Sequence, residues 1–198
     1  MSLKKHIVDT MKQLYKKKYI SIRDGNVSFK PKNENFFLIS AGSVKKNELN
    51  VDQILRVDFH GNDLYYDKSY KYQPSREILM HSLLQSHEEY KDKDTFVIHA
   101  HPPNIISYIG IEQSKQLHTI KQYFPEINIG SIGNNVPYFE AGSTDLAKDC
   151  FTKLIYNDVV GMERHGSLSI GNDIEKLFED IETLEYYIDI YLKSKNEF

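Results

Sequence analysis

A single cysteine, Cys150, is present in the 198-residue chain. That excludes an intrachain disulfide and any cysteine-rich zinc site, and it fits a reducing compartment. Long apolar runs are missing too: no stretch approaches the roughly 20 apolar residues that a membrane span requires. The segment from Met1 to Ile20 has apolar residues at helical spacing but no apolar core of the signal-peptide kind. A cytoplasmic protein without membrane contact is expected. Basic excess is also lacking. The formal net charge is −3 and the sequence pI about 6.2, so no global positive field points to nucleic acid. The one lysine run, Lys16 to Lys18, falls at an expected helix end, where cations suit the helix dipole. Linkers, repeats and low-complexity tails are absent, which predicts one domain over residues 1–198.

What is present alternates between strand and helix patterns. Ile7, Met11, Leu14 and Tyr15 give Leu3 to Lys18 a helical stripe. Short strands follow at Asn26 to Lys30, Phe36 to Ser40 and Ile54 to Phe59, the last turning back through Gly61-Asn62-Asp63. Pro74 and Ser75 signal a helix start that is expected to run to Tyr90, ahead of an apolar strand beginning at Thr95. Further along, Val136 to Ser143 reads as a strand leading into a helix capped by Ser143 or Thr144. Two short strands then meet around His165, and a long amphipathic helix carries Leu177, Ile181, Leu184 and Ile188 on one stripe. Several first-half strands are joined by turns too short for a crossover helix. The expected fold is therefore single-domain α/β and layered, with a central mixed, largely antiparallel sheet flanked by helices.

The chemistry is concentrated in a few of the eight histidines. His6, His60, His87 and His118 stand in polar or helix-surface contexts. His99 and His101 differ: residues i and i+2 of a strand point the same way, about 7 Å apart. Two such imidazoles can converge on one cation at roughly 2.0–2.1 Å, although strand histidines also serve purely structural roles. A catalytic zinc needs a third ligand and an open position, and His165 beside Gly166 is the best candidate for the third. Glu77, just after Pro74 and Ser75, is either a base or a dipole partner of its helix. His81, one turn on, either bonds that carboxylate or packs.

Taken in order, these pieces resemble the class II aldolase/adducin family, in particular its zinc-dependent sugar-phosphate aldolases. The matching segments are Gly25-Asn26-Val27-Ser28, Ile39-Ser40-Ala41-Gly42-Ser43, Pro74-Ser75-Arg76-Glu77, His99-Ala100-His101 and Arg164-His165-Gly166. The resemblance implies a class II aldolase-like fold and Zn²⁺, with Mn²⁺ or Co²⁺ as alternatives, on His99, His101 and His165. It implies Glu77 as acid/base, a phosphate pocket of Asn26, Gly42, Ser43, Ser75 and Arg76, and Tyr123 near a proton-donating tyrosine. Tyr123 is otherwise a core residue. The implied activity is lyase cleavage of a small phosphorylated ketose or related sugar acid through a metal-stabilised enediolate, in a homotetramer with sites between subunits. Epimerase, decarboxylase and dehydratase members are the alternatives, as is a non-catalytic adducin-like interaction domain. Two departures from the family pattern stand out: Ser-Ala-Gly-Ser lacks the loop's proline, and Arg76 replaces a serine with a guanidinium fork suited to phosphate or carboxylate.

Overall fold

Strand alternation decides which residues of this chain meet. The computed structural model describes residues 3–61, 63–110 and 115–195. Its helices are α1 (Leu3–Lys16), α2 (Ile78–Gln85), α3 (Pro103–Ile109), α4 (Ile120–Tyr123), α5 (Thr144–Leu154) and α6 (Ile174–Lys195). Its strands are β1 (Asn26–Lys30), β2 (Phe36–Ser40), β3 (Ile54–His60), β4 (Asp63–Tyr65), β5 (Thr95–Ala100), β6 (Val159–Met162) and β7 (Gly166–Gly171). They form one sheet in the order β4-β3-β2-β1-β5-β7-β6. Every pairing of named strands is antiparallel, and the parallel component is confined, among the described residues, to the bridges Ile132–Val159 and Val136–Met162.

Because successive side chains point to opposite faces, β5 divides its residues between two cores. Phe96, Ile98 and Ala100 join Val27 and Phe29 of β1 under α1 and the start of α6. Val97 faces the other way, into a cluster with Met80 and Leu84 of α2 and Leu146, Cys150 and Leu154 of α5. A third cluster sets α3 and α4 against Leu184, Ile188 and Tyr191 of α6. The α6 stripe thus serves two layers, as its spacing predicts. Among the described residues no helix is long and apolar enough to cross a membrane.

Two elements differ from the sequence expectation. The helix expected over 74–90 is only α2 plus a 3-10 turn at Glu88–Tyr90. Its first residues are held out of the helix by a bridge between Ala41 and Pro74, and His87 is extended, accepting a hydrogen bond from the Glu89 amide. The strand expected from Val136 reduces to one bridge at Val136, because Pro137 has no N–H to extend a ladder. Asn62 of the expected β3–β4 turn lies outside the described residues, while the flanking strands pair, Phe59 opposite Leu64. Ser143 does cap α5, its Oγ accepting from the Leu146 amide at 3.1 Å.

Ile98 is fully buried at the centre of the sheet. Ile98→Ala is expected to destabilise the protein by about 2–5 kcal/mol, read as a lowered urea midpoint with an unchanged slope.

Candidate active site

The site is assembled where β1, β5 and β7 run side by side. Asn26 lies opposite His99 across the β1–β5 pairing, and Leu168 lies opposite His99 on the other side. His99 is therefore central and completely buried. Its Nδ1–H donates to the Ser167 carbonyl at 3.0 Å, which fixes the proton on Nδ1 and leaves the Nε2 lone pair facing the cluster. β5 ends at Ala100, so His101 stands one residue beyond the strand, its own amide bonded to the Tyr19 carbonyl at 2.8 Å. The two rings still converge, Nε2 to Nε2, at 2.8 Å. Two lone pairs repel at that distance, so the nitrogens must share a proton or a cation.

His165 arrives from the β6–β7 turn, its ring centroid 4.8 Å from that of His99 and 5.1 Å from that of His101. Gly166 allows this approach. A Cβ there would lie 2.1 Å from the Ala100 carbonyl oxygen and 3.0 Å from Cδ2 of His101. One nitrogen from each ring falls within 4.8 Å of the others, which makes these histidines a group able to hold a metal ion. Burial lowers both His99 and His101 to about 3, reinforced at each by neighbouring histidines. Both are therefore neutral near pH 7, the form in which imidazole ligates metals.

Glu77 completes the cluster. It stands at the N-cap of α2, but its side chain makes no capping hydrogen bond. The carboxylate turns inward instead. Oε2 accepts from the Asn26 amide at 2.8 Å and lies 3.3 Å from His99 Nε2. Oε1, buried and without a hydrogen-bond partner among the described residues, lies 3.4 Å from His165 Nε2. A buried carboxylate oxygen left unpaired is costly unless something else occupies that position. Neutral histidines beside such an oxygen suit a divalent cation well. His81 does not touch Glu77 through its ring; it bonds Asn26 and Ser28.

In front of the cluster lies a cavity of about 270 Å³, lined by Glu77, His101 and His165 together with Asn26, Gly42, Ser43, Ser75 and Arg76. All the expected pocket residues thus gather at one cavity. The Gly42 amide is already committed to the Gln73 carbonyl at 3.0 Å. Ser75 precedes the helix and spends its Oγ on Asn26 and on the Glu77 amide. Tyr123 is elsewhere: it lies on α4, 50% exposed, with its ring 4.7 Å from that of Tyr191, and so is neither core nor part of the cavity wall.

Sequence reading passed over Arg23, Asp24 and Lys46, which also line the cavity. The signal available was position: Arg23-Asp24 immediately precedes the Gly25-Asn26 segment, and Lys46 follows Ser43 closely. Arg23 donates to the Ser43 carbonyl. Lys46 is almost fully buried and donates to the Ala41 carbonyl at 2.6 Å. Burial pushes its ammonium down to about 8, with Asp24 opposing the shift. Arg23, Lys46 and Arg76 outnumber the neighbouring Asp24 in this lining, which favours anions.

The family model for the class II aldolase and adducin N-terminal domain matches residues 5–192. The chain belongs to the class II aldolase/adducin family. A protein named L-fuculose phosphate aldolase from Methanococcus maripaludis strain C5 is 29% identical over 174 residues, 87% of this chain and 86% of that one. One of the same name from Methanocaldococcus jannaschii is 29% identical over 186 residues, 92% and 91% of the two chains. The crystal structure of a sugar-phosphate aldolase from Thermotoga maritima shares the fold at a TM-score of 0.79 and 20% identity, covering 98% of this chain and 94% of that one.

Two outcomes are expected at this class II aldolase-type site. Purified protein should bind a stoichiometric divalent ion, read by elemental analysis, and His165→Ala should lose it while keeping its far-ultraviolet spectrum. Sulfate affinity, read by calorimetry, should fall as pH rises through about 8, because the Lys46 ammonium that attracts the anion deprotonates. Lys46→Met should flatten that dependence.

Proposed function

We propose that this chain is a zinc-dependent aldolase that cleaves a small phosphorylated ketose or related sugar acid. The observation that carries the proposal is the buried Glu77 carboxylate, 3.3 Å from His99 and 3.4 Å from His165, in a cavity that is also lined by Arg23, Lys46 and Arg76. Sugar-phosphate names among the relatives support the same substrate class. Assembly of all three histidines with that carboxylate disfavours a non-catalytic interaction domain.

When bound by His99, His101 and His165, the metal would act as a Lewis acid toward oxygens that gain negative charge as the carbon–carbon bond breaks. Glu77 has a separate task. Held by Asn26 through Oε2 and unpaired at Oε1, it can give a proton to the carbon left electron-rich by cleavage, and remove it in the condensation direction. Ser43, Arg76 and Lys46 of the cavity lining bind the phosphate and so fix which bond lies above Glu77. Tyr123 is exposed on α4 and outside the cavity lining, so it acts from a neighbouring subunit, taking the proton of the hydroxyl that becomes the leaving carbonyl and returning it in the condensation direction. That is the homotetrameric arrangement we favour. A cytoplasmic setting accords with the unpaired, buried Cys150.

A panel of ketose phosphates and sugar-acid phosphates, assayed with Zn²⁺, Mn²⁺ or Co²⁺, tests the reading. Glu77→Gln is expected to lower kcat by about 10²–10⁴-fold on any active substrate while metal content is retained. Equal turnover by the variant would remove Glu77 from the chemistry.

A further inference from the structure

Behind Glu77 a hydrogen-bonded chain runs from the cavity wall at Asn26 and Ser75 to the fully buried Ser28, His81 and Gln85. Asn26 and Ser28 are two apart on β1 and face α2; Glu77, His81 and Gln85 are four apart along α2. The strand step of about 6.6–6.8 Å nearly matches the helical step of about 6 Å, so the two rows interleave. Asn26 Nδ2 donates to Ser75 Oγ and Glu77 Oε2, Asn26 Oδ1 meets His81 Nε2, Ser28 Oγ lies 2.6 Å from His81 Nδ1, and Gln85 Nε2 donates to Ser28 Oγ.

Each proton direction follows from the one before. Glu77 as a carboxylate only accepts, so Asn26 must turn its NH₂ toward it and its carbonyl toward His81. That carbonyl can only accept, so His81 carries its proton on Nε2. The bare Nδ1 then accepts from the Ser28 hydroxyl, which in turn accepts from Gln85. His81, Gln85 and Ser28 are fully buried, so water cannot replace a missing partner.

We propose that His81 is a positioning residue for Glu77, locking the Asn26 amide so that the carboxylate is held facing the three histidines. This rests on the acid/base reading of Glu77. An apolar side chain in place of His81 would fill the same space but leave Asn26 free to rotate. Glutamine can return an N–H near the Nε2 position, so His81→Gln is the rescuing variant and His81→Phe the disabling one.

The test uses the intact metal-loaded chain. Nitrogen-15 spectra of the histidines are expected to show His81 neutral with its proton on Nε2. The Asn26 side-chain NH₂ is expected to be protected from exchange in wild type and His81→Gln but not in His81→Phe. A proton on Nδ1, or equal Asn26 protection in His81→Phe, overturns the proposal whether or not a substrate is known. On an active substrate, His81→Phe is expected to lower kcat by about 10- to 100-fold, with KM little changed and metal content retained, and His81→Gln to recover most of the loss. Equal kcat in the two variants also overturns it. Absence of turnover by wild type counts instead against the aldolase reading, and the exchange data still decide the role of His81.

Discussion

The alignment of β1, β5 and β7 around His99 is the constraint on which the rest of the site depends. Asn26 sits opposite His99 on one side and Leu168 on the other, and the Ser167 carbonyl accepts from the His99 ring. A slip of one residue in β5 would turn His99 into the apolar layer beneath α1 and bring Ile98 toward Glu77. Burial of Phe96 and Ile98 on one face and Val97 on the other makes such a slip expensive. The hydrophobic core therefore sets the register, and the register sets the histidines. Gly166 adds the third imidazole to the same frame, since any Cβ would strike the Ala100 carbonyl.

Around this frame the polar groups are arranged by gradient. Deepest are neutral groups whose hydrogen bonds are made within the protein: His81, Ser28 and Gln85. Next comes the buried carboxylate of Glu77, close to two candidate ligands and held by Asn26. Three cations complete the lining: the buried Lys46 with Arg23 and Arg76. Burying an ammonium with few partners is costly, and burial lowers Lys46 accordingly. An arrangement that keeps such a group at a cavity wall suits binding of an anion better than it suits stability.

Much of the fold was legible from residue spacing. β1, β2 and the α6 stripe lie where the short strand-like runs and the helical periodicity put them, although both strands are buried on both faces. The overlong α2 and the missing strand at Val136 were not legible: one depends on a bridge to Ala41 far away in sequence, the other on a proline in a segment that looked apolar. Within the site, His99, His101, His165 and Glu77 were named from sequence, and the structure brings them together. Lys46 was not, since a lysine in a polar loop gives no sign that it will be buried. Nor could sequence choose between bonding and packing for His81, because its true partner, Asn26, is 55 residues away.

The sequence by itself determined which residue types could do chemistry and in what order they come, because imidazoles, carboxylates and glycines carry their properties wherever they stand. It also determined membership of the family through that order. Only the tertiary structure decided distance and burial: that Glu77 turns away from its helix end, that Tyr123 faces away from the cavity, and that Arg23 and Lys46 join it. Those facts arise from pairing between segments far apart in the chain, and no local pattern records where a distant strand will lie.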